Sequence, residues 1–218
     1  LLVKVEEHEY TIGRHDRCHQ VLEPLLSEQW FLGMSELAKM ALEAIEGQSP
    51  EVAYVPDRFR GYTVEWLRNL RDWNVSRQIW WGHRIPAYQC MSCGDWMVKT
   101  EAPEACAKCG GEVKQDEDTL DTWFSSALWP FAVLGWPDEQ ALATAYEEGV
   151  YPTHLMITAR DILYLWIVRM IMTSLEFTGK IPFDEVLVHA TVLDIEGRRM
   201  SKSLGTGVDP LELIARYG

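Results

Sequence analysis

The sequence predicts an α/β layer with a largely parallel sheet, interrupted by a small segment that needs a metal in order to fold. Three observations carry this. Over the last hundred residues, strand-like and helix-like patterns alternate, the order that builds a parallel sheet with helices packed on it. Upstream, apolar residues recur at helical spacing. Between the two, residues 90–115 carry four cysteines among Gly, Lys and Glu with almost no large apolar side chain, so they cannot bury a core unaided.

The elements follow in order. Residues 1–24 are mixed, with a polar, His-rich stretch from Thr11 to Gln20 that has no clear period. From Ser27, a good N-cap, apolar residues recur at Trp30, Met34, Leu37, Ala38, Ala41, Leu42 and Ile45, and Gly47 supplies the stop. This predicts one amphipathic helix. Thr63 to Arg71 repeats the pattern in a shorter helix. Trp73 to Tyr88 turns aromatic and β-branched, with breaks at Gly82 and Pro86, which fits a strand or an irregular segment. Beyond the cysteines, Thr153 to Thr158 reads as extended, Asp161 to Phe177 as helical and Val186 to Leu193 as extended. A glycine-rich loop and a terminal helix opening at Asp209-Pro210 complete the chain, and no internal repeat or low-complexity tract is visible.

Composition narrows the function classes. The 218 residues hold 20 Lys plus Arg against 33 Asp plus Glu, a net charge of −13, with 47% apolar and 24% charged residues. These values suit one or two globular domains and exclude a disordered or collagen-like chain. A charge of −13 repels nucleic acid unless basic groups cluster or another part of the protein supplies the grip. The longest apolar stretch, Ile162 to Leu175, is interrupted by Arg169, too short and too polar for a membrane span. Leu1-Leu2-Val3-Lys4-Val5-Glu6 lacks the parts of a signal peptide, so a soluble, cytoplasmic chain with no membrane partner is expected. The sequence starts without Met and stops at Ala215-Arg216-Tyr217-Gly218, just past a helix start, and is expected to be an internal piece of a longer protein.

Cys90-x2-Cys93, followed after twelve residues by Cys106-x2-Cys109, forms two short hooks joined by a loop long enough to fold back. Four thiolates then reach one tetrahedral Zn2+ in a closed, structural site, and Gly94, Gly110 and Gly111 stand where the chain must turn tightly. The alternatives are two disulfides, which suit an unexported chain poorly, or four free thiols. Cys18, three residues after His15, is half of a second metal site or an ordinary buried thiol.

Near the C-terminus, Arg199-Met200-Ser201-Lys202-Ser203-Leu204-Gly205 places two cations and two hydroxyls on a glycine-flanked loop ahead of a helix N-terminus. Such a loop suits a polyphosphate, because stabilising the charge on a departing pyrophosphate is electrostatic work. By charge alone it reads equally well as a solvated surface turn.

This loop resembles the KMSKS signature of class I aminoacyl-tRNA synthetases, with Arg199 in place of the first lysine and Lys202 matching the second. The resemblance covers essentially the whole chain and favours the valyl branch of that family. Asp72-Trp73-Asn74-Val75-Ser76-Arg77-Gln78, followed by Trp80-Trp81-Gly82-His83-Arg84-Ile85-Pro86, is similar to that branch. So are Asp121-Thr122-Trp123-Phe124-Ser125-Ser126-Ala127-Leu128-Trp129-Pro130 and Leu134-Gly135-Trp136-Pro137. Glu23-Pro24 and Gln29-Trp30-Phe31 resemble the chain's return from the family's editing insertion.

The resemblance implies the second half of a Rossmann-like nucleotide-binding domain with an inserted zinc ribbon. Its divisions are a return segment with a helix (1–50), a connecting part of the catalytic domain (51–87), the ribbon (88–115) and the C-terminal half of the catalytic domain (116–218). It further implies that Trp123 and Ile162 wall the aminoacyl side-chain pocket, that Asp161, Trp166 and His189 surround the adenylate, and that backbone near Val192 meets adenine. Lys202, Ser201 and Arg199 would serve the phosphates. Taken without the family, Trp123 and Trp166 read as core aromatics, Asp161 as a helix N-cap and His189 as a satisfied strand histidine. Ala159 and Ala190 stand where the family often has glycine.

The implied activity is ATP-dependent joining of valine to tRNA(Val) through valyl-adenylate, with Mg2+ accompanying ATP and a structural Zn2+, in a monomeric parent enzyme. The isoleucyl branch is the alternative within the family, and a stand-alone zinc-ribbon module for protein or RNA is the alternative outside it. The family's other ATP signature, His-x-Gly-His, occurs nowhere in this sequence, so the piece by itself is expected to be inactive.

Overall fold

The computed structural model describes residues 1–15, 18–49, 51–200 and 205–218. The elements in chain order begin with β1 (Phe31–Leu32), α1 (Ser35–Glu46), β2 (Ala53–Val55) and α2 (Arg58–Arg68). Short strands follow: β3 (Trp73–Asn74), β4 (Ser76–Arg77), β5 (Ala87–Cys90), β6 (Trp96–Val98), β7 (Val113–Gln115) and β8 (Thr119–Leu120). The last part holds α3 (Thr122–Ala132), α4 (Glu139–Glu147), β9 (Thr153–Ala159), α5 (Val168–Thr178), β10 (Phe183–His189) and α6 (Pro210–Tyr217). A 3-10 turn, Arg160–Ile162, and a π turn, Leu163–Ile167, lead from β9 into α5.

The sheet that organises the molecule has the order β2-β10-β9, all parallel, with Val186 facing Tyr54 on one side and Met156 on the other. β9, α5 and β10 form one βαβ unit, and Gly179 ends α5 in the left-handed conformation at φ 68°. Ile45 of α1, Ile171 of α5 and Val186 of β10 are fully buried in one core that also takes in α2 and the β3 segment. A second small core gathers Phe131, Leu142, Ala145 and Tyr151 around α3 and α4. A separate antiparallel sheet, β6-β5-β7, carries the cysteines over a core of only Tyr88, Cys90, Met97 and Cys106, with Val113 against it.

Three elements differ in extent from the sequence expectation. The first helix starts at Ser35 rather than after Ser27, because Phe31–Leu32 pairs with Trp73–Asn74 and the Trp30 N–H donates to Ser76 Oγ at 2.9 Å. These long-range bonds hold the chain extended through the residues the periodicity assigned to a helix. The helix is capped instead by Asp72, whose Oδ1 accepts from the Met34 N–H at 3.1 Å. The second helix is Arg58–Arg68 rather than Thr63–Arg71. The last strand is Phe183–His189 rather than Val186–Leu193, and Leu193 instead bridges back to Arg199 across a turn closed by Asp194.

One buried node ties three parts of the chain together. Asp121 Oδ1 caps α3 through the Trp123 N–H, while Oδ2 accepts from Trp73 Nε1 at 3.0 Å and Arg77 Nη2 at 2.7 Å. Arg169 of α5 lies 3.7 Å from the same oxygen and stacks 3.6 Å over the Trp73 ring. Burial pulls the Arg169 guanidinium down to about 10, with Asp121 opposing the shift. Asp121→Ala would leave that buried cation without its counter-charge and should cost about 3 kcal/mol or more. Arg77→Ala removes a cation whose side chain is 39% exposed and should cost about 1 kcal/mol or less. Denaturant unfolding of the two variants checks the order.

Candidate functional site

The parallel strands end side by side, His189 of β10 opposite Ala159 of β9. In open α/β sheets ligands bind at this carboxyl edge. From Ala159 the chain turns through Arg160–Ile162 and the π turn, which carries Trp166 toward α3. Asp121, as N-cap, sets the start of α3, and Trp123, Ser126 and Trp129 follow at intervals of three. Trp123, Ser126, Trp129, Ile162 and Trp166 together line an open hollow of about 320 Å3. Its walls are three indoles and one branched aliphatic chain, a set that takes a small apolar group. Trp166 is fixed in it by an Nε1–H bond to the Ser126 carbonyl at 3.3 Å.

Beside the hollow lies a polar rim. Asp161 is the middle residue of the 3-10 turn and not its N-cap; its Oδ2 accepts from Thr191 Oγ1 at 3.5 Å and pairs with the Arg199 guanidinium. His189 is exposed, with Nδ1 2.8 Å from the Ala190 carbonyl. Val192 is exposed and belongs to no strand, since β10 has already ended. Ser201 and Lys202 lie outside the described residues. Trp123, Ile162 and Trp166 therefore share one hollow, and Asp161, Arg199 and Thr191 share one polar cluster next to it.

The cysteines form a second centre on the separate sheet. The sulfurs of Cys90, Cys93, Cys106 and Cys109 all lie within 4.8 Å of one another, with Cys90 to Cys109 at 3.5 Å and Cys93 to Cys106 at 3.7 Å. Four thiolates at about 2.3 Å from a tetrahedral ion stand about 3.8 Å apart, so the set fits such an ion. Backbone N–H groups of Cys93 and Ser92 point at Cys90 Sγ, each at 3.4 Å, and that of Lys108 points at Cys106 Sγ at 3.4 Å. The Cys93 N–H is the main cause holding the Cys90 thiol down to about 6, against burial. Among the described residues, no second group of three or more His, Cys, Asp or Glu side chains converges in this way. Cys18, read as an ordinary buried thiol, is exposed, and its N–H donates to His15 Nδ1 at 3.3 Å.

Sequence reasoning missed Ser126 and Trp129 in the hollow and Arg169 in the node behind it. The available signal was Asp121 as an N-cap: reading a helix from it places residues 123, 126 and 129 along neighbouring turns.

The profile of tRNA synthetases class I (I, L, M and V) matches residues 3–218. The chain belongs to this class I tRNA synthetase family. Within it, the chain is 49% identical over 219 residues to the valine–tRNA ligase of Clostridium perfringens, and 52% identical over 218 residues to that of Symbiobacterium thermophilum. Both alignments take in 100% of this chain but only 24% and 23% of the relatives, so the chain spans about a quarter of their length. A methionyl-tRNA synthetase of Mycobacterium tuberculosis, solved with methionyl-adenylate, shares the fold at a TM-score of 0.62 and 17% identity, over 94% of this chain and 34% of that one.

Gly111 tests the cysteine geometry. A Cβ there would stand 2.5 Å from Ser92 Oγ and 3.2 Å from Cys90 Sγ, so Gly111→Ala must spread the two hooks. Divalent-metal affinity, read by competition with a chelator, should fall about tenfold or more.

Proposed function

We propose that the chain is the C-terminal half of the catalytic domain of a ligase that activates valine with ATP and transfers it to tRNA(Val). The observation that carries this reading is the hollow at the carboxyl edge of the parallel sheet, where Trp123 and Ile162 face one another beside Asp161. The identity of about half the residues to valine–tRNA ligases supports the choice of amino acid. Trp123 and Ile162 hold the valine side chain, and Trp166 completes the hollow on the side of the adenylate. Asp161 and His189 lie around the adenylate, and the backbone near Val192 meets adenine. Arg199, Ser201 and Lys202 act on the phosphates, with Mg2+ arriving on ATP. No covalent enzyme intermediate is needed; the residues hold the valine carboxylate and the α-phosphate in register and stabilise charge on the departing pyrophosphate.

The exposure of Leu155 (42%) and Ile157 (56%) on β9 supports a larger domain, since a parallel sheet is ordinarily covered on both faces. Residues 1–50 return from an editing insertion, 51–87 connect, 88–115 are a zinc ribbon and 116–218 hold the nucleotide site. In the ribbon, Cys90, Cys93, Cys106 and Cys109 bind one structural Zn2+, which supplies the folding energy that its five-residue core lacks. The parent enzyme works as a monomer in the cytoplasm. Among the described residues no helix is long and apolar enough to cross a membrane.

Elemental analysis of protein purified without added zinc should give one zinc per chain, and a ratio near zero in folded protein would remove the ribbon. For the amino acid, ATP–pyrophosphate exchange with the full-length protein should depend on valine over isoleucine, a difference of one methylene worth about 1–3 kcal/mol. Trp123→Ala should raise the KM for valine about tenfold or more through lost apolar contact, and the 218-residue chain alone should show no exchange. An unchanged KM would take Trp123 out of the pocket.

A further inference from the structure

Trp166 is placed in the hollow by its hydrogen bond to the Ser126 carbonyl. Ser126 lies inside α3, where a carbonyl ordinarily accepts from the N–H four residues further on. That residue is Pro130, buried within the same helix and without an N–H to give. A proline ring also presses on the carbonyl four residues before it and turns it away from the helix axis. A carbonyl released under half-buried side chains needs another donor, and the Trp166 indole supplies one. The next carbonyl, that of Ala127, likewise accepts from outside the helix, from Thr173 Oγ1 of α5 at 2.7 Å. Two successive carbonyls of α3 thus accept from outside the helix, one from the π turn and one from α5 that follows it.

We infer that Pro130 is a positioning residue for the amino-acid hollow: by withdrawing the helical bond from Ser126, it frees that carbonyl to orient Trp166 and so sets the width of the slot. The inference rests on the reading of the hollow as the valine pocket. Proline is the least favourable residue for a helix interior, yet α3 continues two residues past it, to Ala132. A role confined to packing would be filled as well by an apolar residue that keeps its N–H. The use of Pro130 is that it keeps a neighbouring acceptor free.

Three variants of the full-length protein test this. In Pro130→Ala the restored N–H competes for the Ser126 carbonyl, and in Trp166→Phe an aromatic ring stays while the donor is lost together with part of the indole's contact area. Each should raise the KM for valine about three- to tenfold, the worth of one net hydrogen bond, with kcat within about twofold. The double variant should be no worse than either single one, because both act on the same bond. Independently of activity, the Trp166 indole proton, assigned in 15N spectra by its loss in Trp166→Phe, should exchange faster with solvent in Pro130→Ala. Thermal unfolding of Pro130→Ala should be unchanged or later, which separates its effect on KM from lost stability. An indole proton that exchanges as before, or additive effects in the double variant, would overturn the inference. If Trp123→Ala raises the KM for valine while Pro130→Ala and Trp166→Phe do not, the inference alone falls. If none of the three moves it, the valine reading of the hollow falls first and takes the inference with it.

Discussion

The Asp121 carboxylate is the contact on which the arrangement of α3, α5 and the short strands β3 and β4 depends. It is buried, and it accepts from a backbone N–H, an indole and a guanidinium while facing a second guanidinium. Each partner belongs to a different element: the start of α3, β3, β4 and α5. A buried carboxylate is tolerated only when its lone pairs are filled, so the requirement of one side chain fixes the relative placement of four elements. Trp73 adds a second constraint, because its ring supports the Arg169 guanidinium while its N–H reaches Asp121. A cation held over an indole away from water gains about 2 kcal/mol, which offsets part of the cost of burying Arg169.

From that node the hollow follows. Asp121 starts α3, α3 presents Trp123, Ser126 and Trp129, and the two turns that lead into α5 present Ile162 and Trp166. The π turn matters here because a wider turn changes which side chains face α3, and such turns are common where a helix serves a site. The polar cluster of Asp161, Thr191 and Arg199 sits at the strand ends, where backbone groups run out of ladder partners. An apolar slot and a charged rim are thus adjacent because β9 delivers both: Asp161 and Ile162 are consecutive residues.

The cysteine-bearing sheet obeys a different economy. Its strands are three or four residues long and its core is too small to repay the entropy of ordering about 28 residues. What converges in this segment is the set of four sulfurs, with backbone N–H groups aimed at Cys90 Sγ and Cys106 Sγ, an arrangement that fits a tetrahedral ion.

The sequence by itself determined what depends on local spacing. The hooks at 90–93 and 106–109, the helix that runs through Phe177, the strand beginning at Thr153 and a strand through Val186 are visible because hook spacing and hydrophobic period are properties of adjacent residues, although that last strand begins three residues earlier, at Phe183. The resemblance added membership of a family, carried by motifs that no period would single out. What only the tertiary structure decided are features in which residues far apart compete for the same backbone. Residues 31–32 left a helical pattern because β3 offered hydrogen bonds from more than forty positions away. β10 stopped at His189 because β9 ends opposite it and, among the described residues, no further strand continues the ladder. The meeting of Trp123, Trp129, Ile162 and Trp166 was set by a carboxylate and a freed carbonyl, whose partners are chosen by packing and cannot be read from a pattern of side chains.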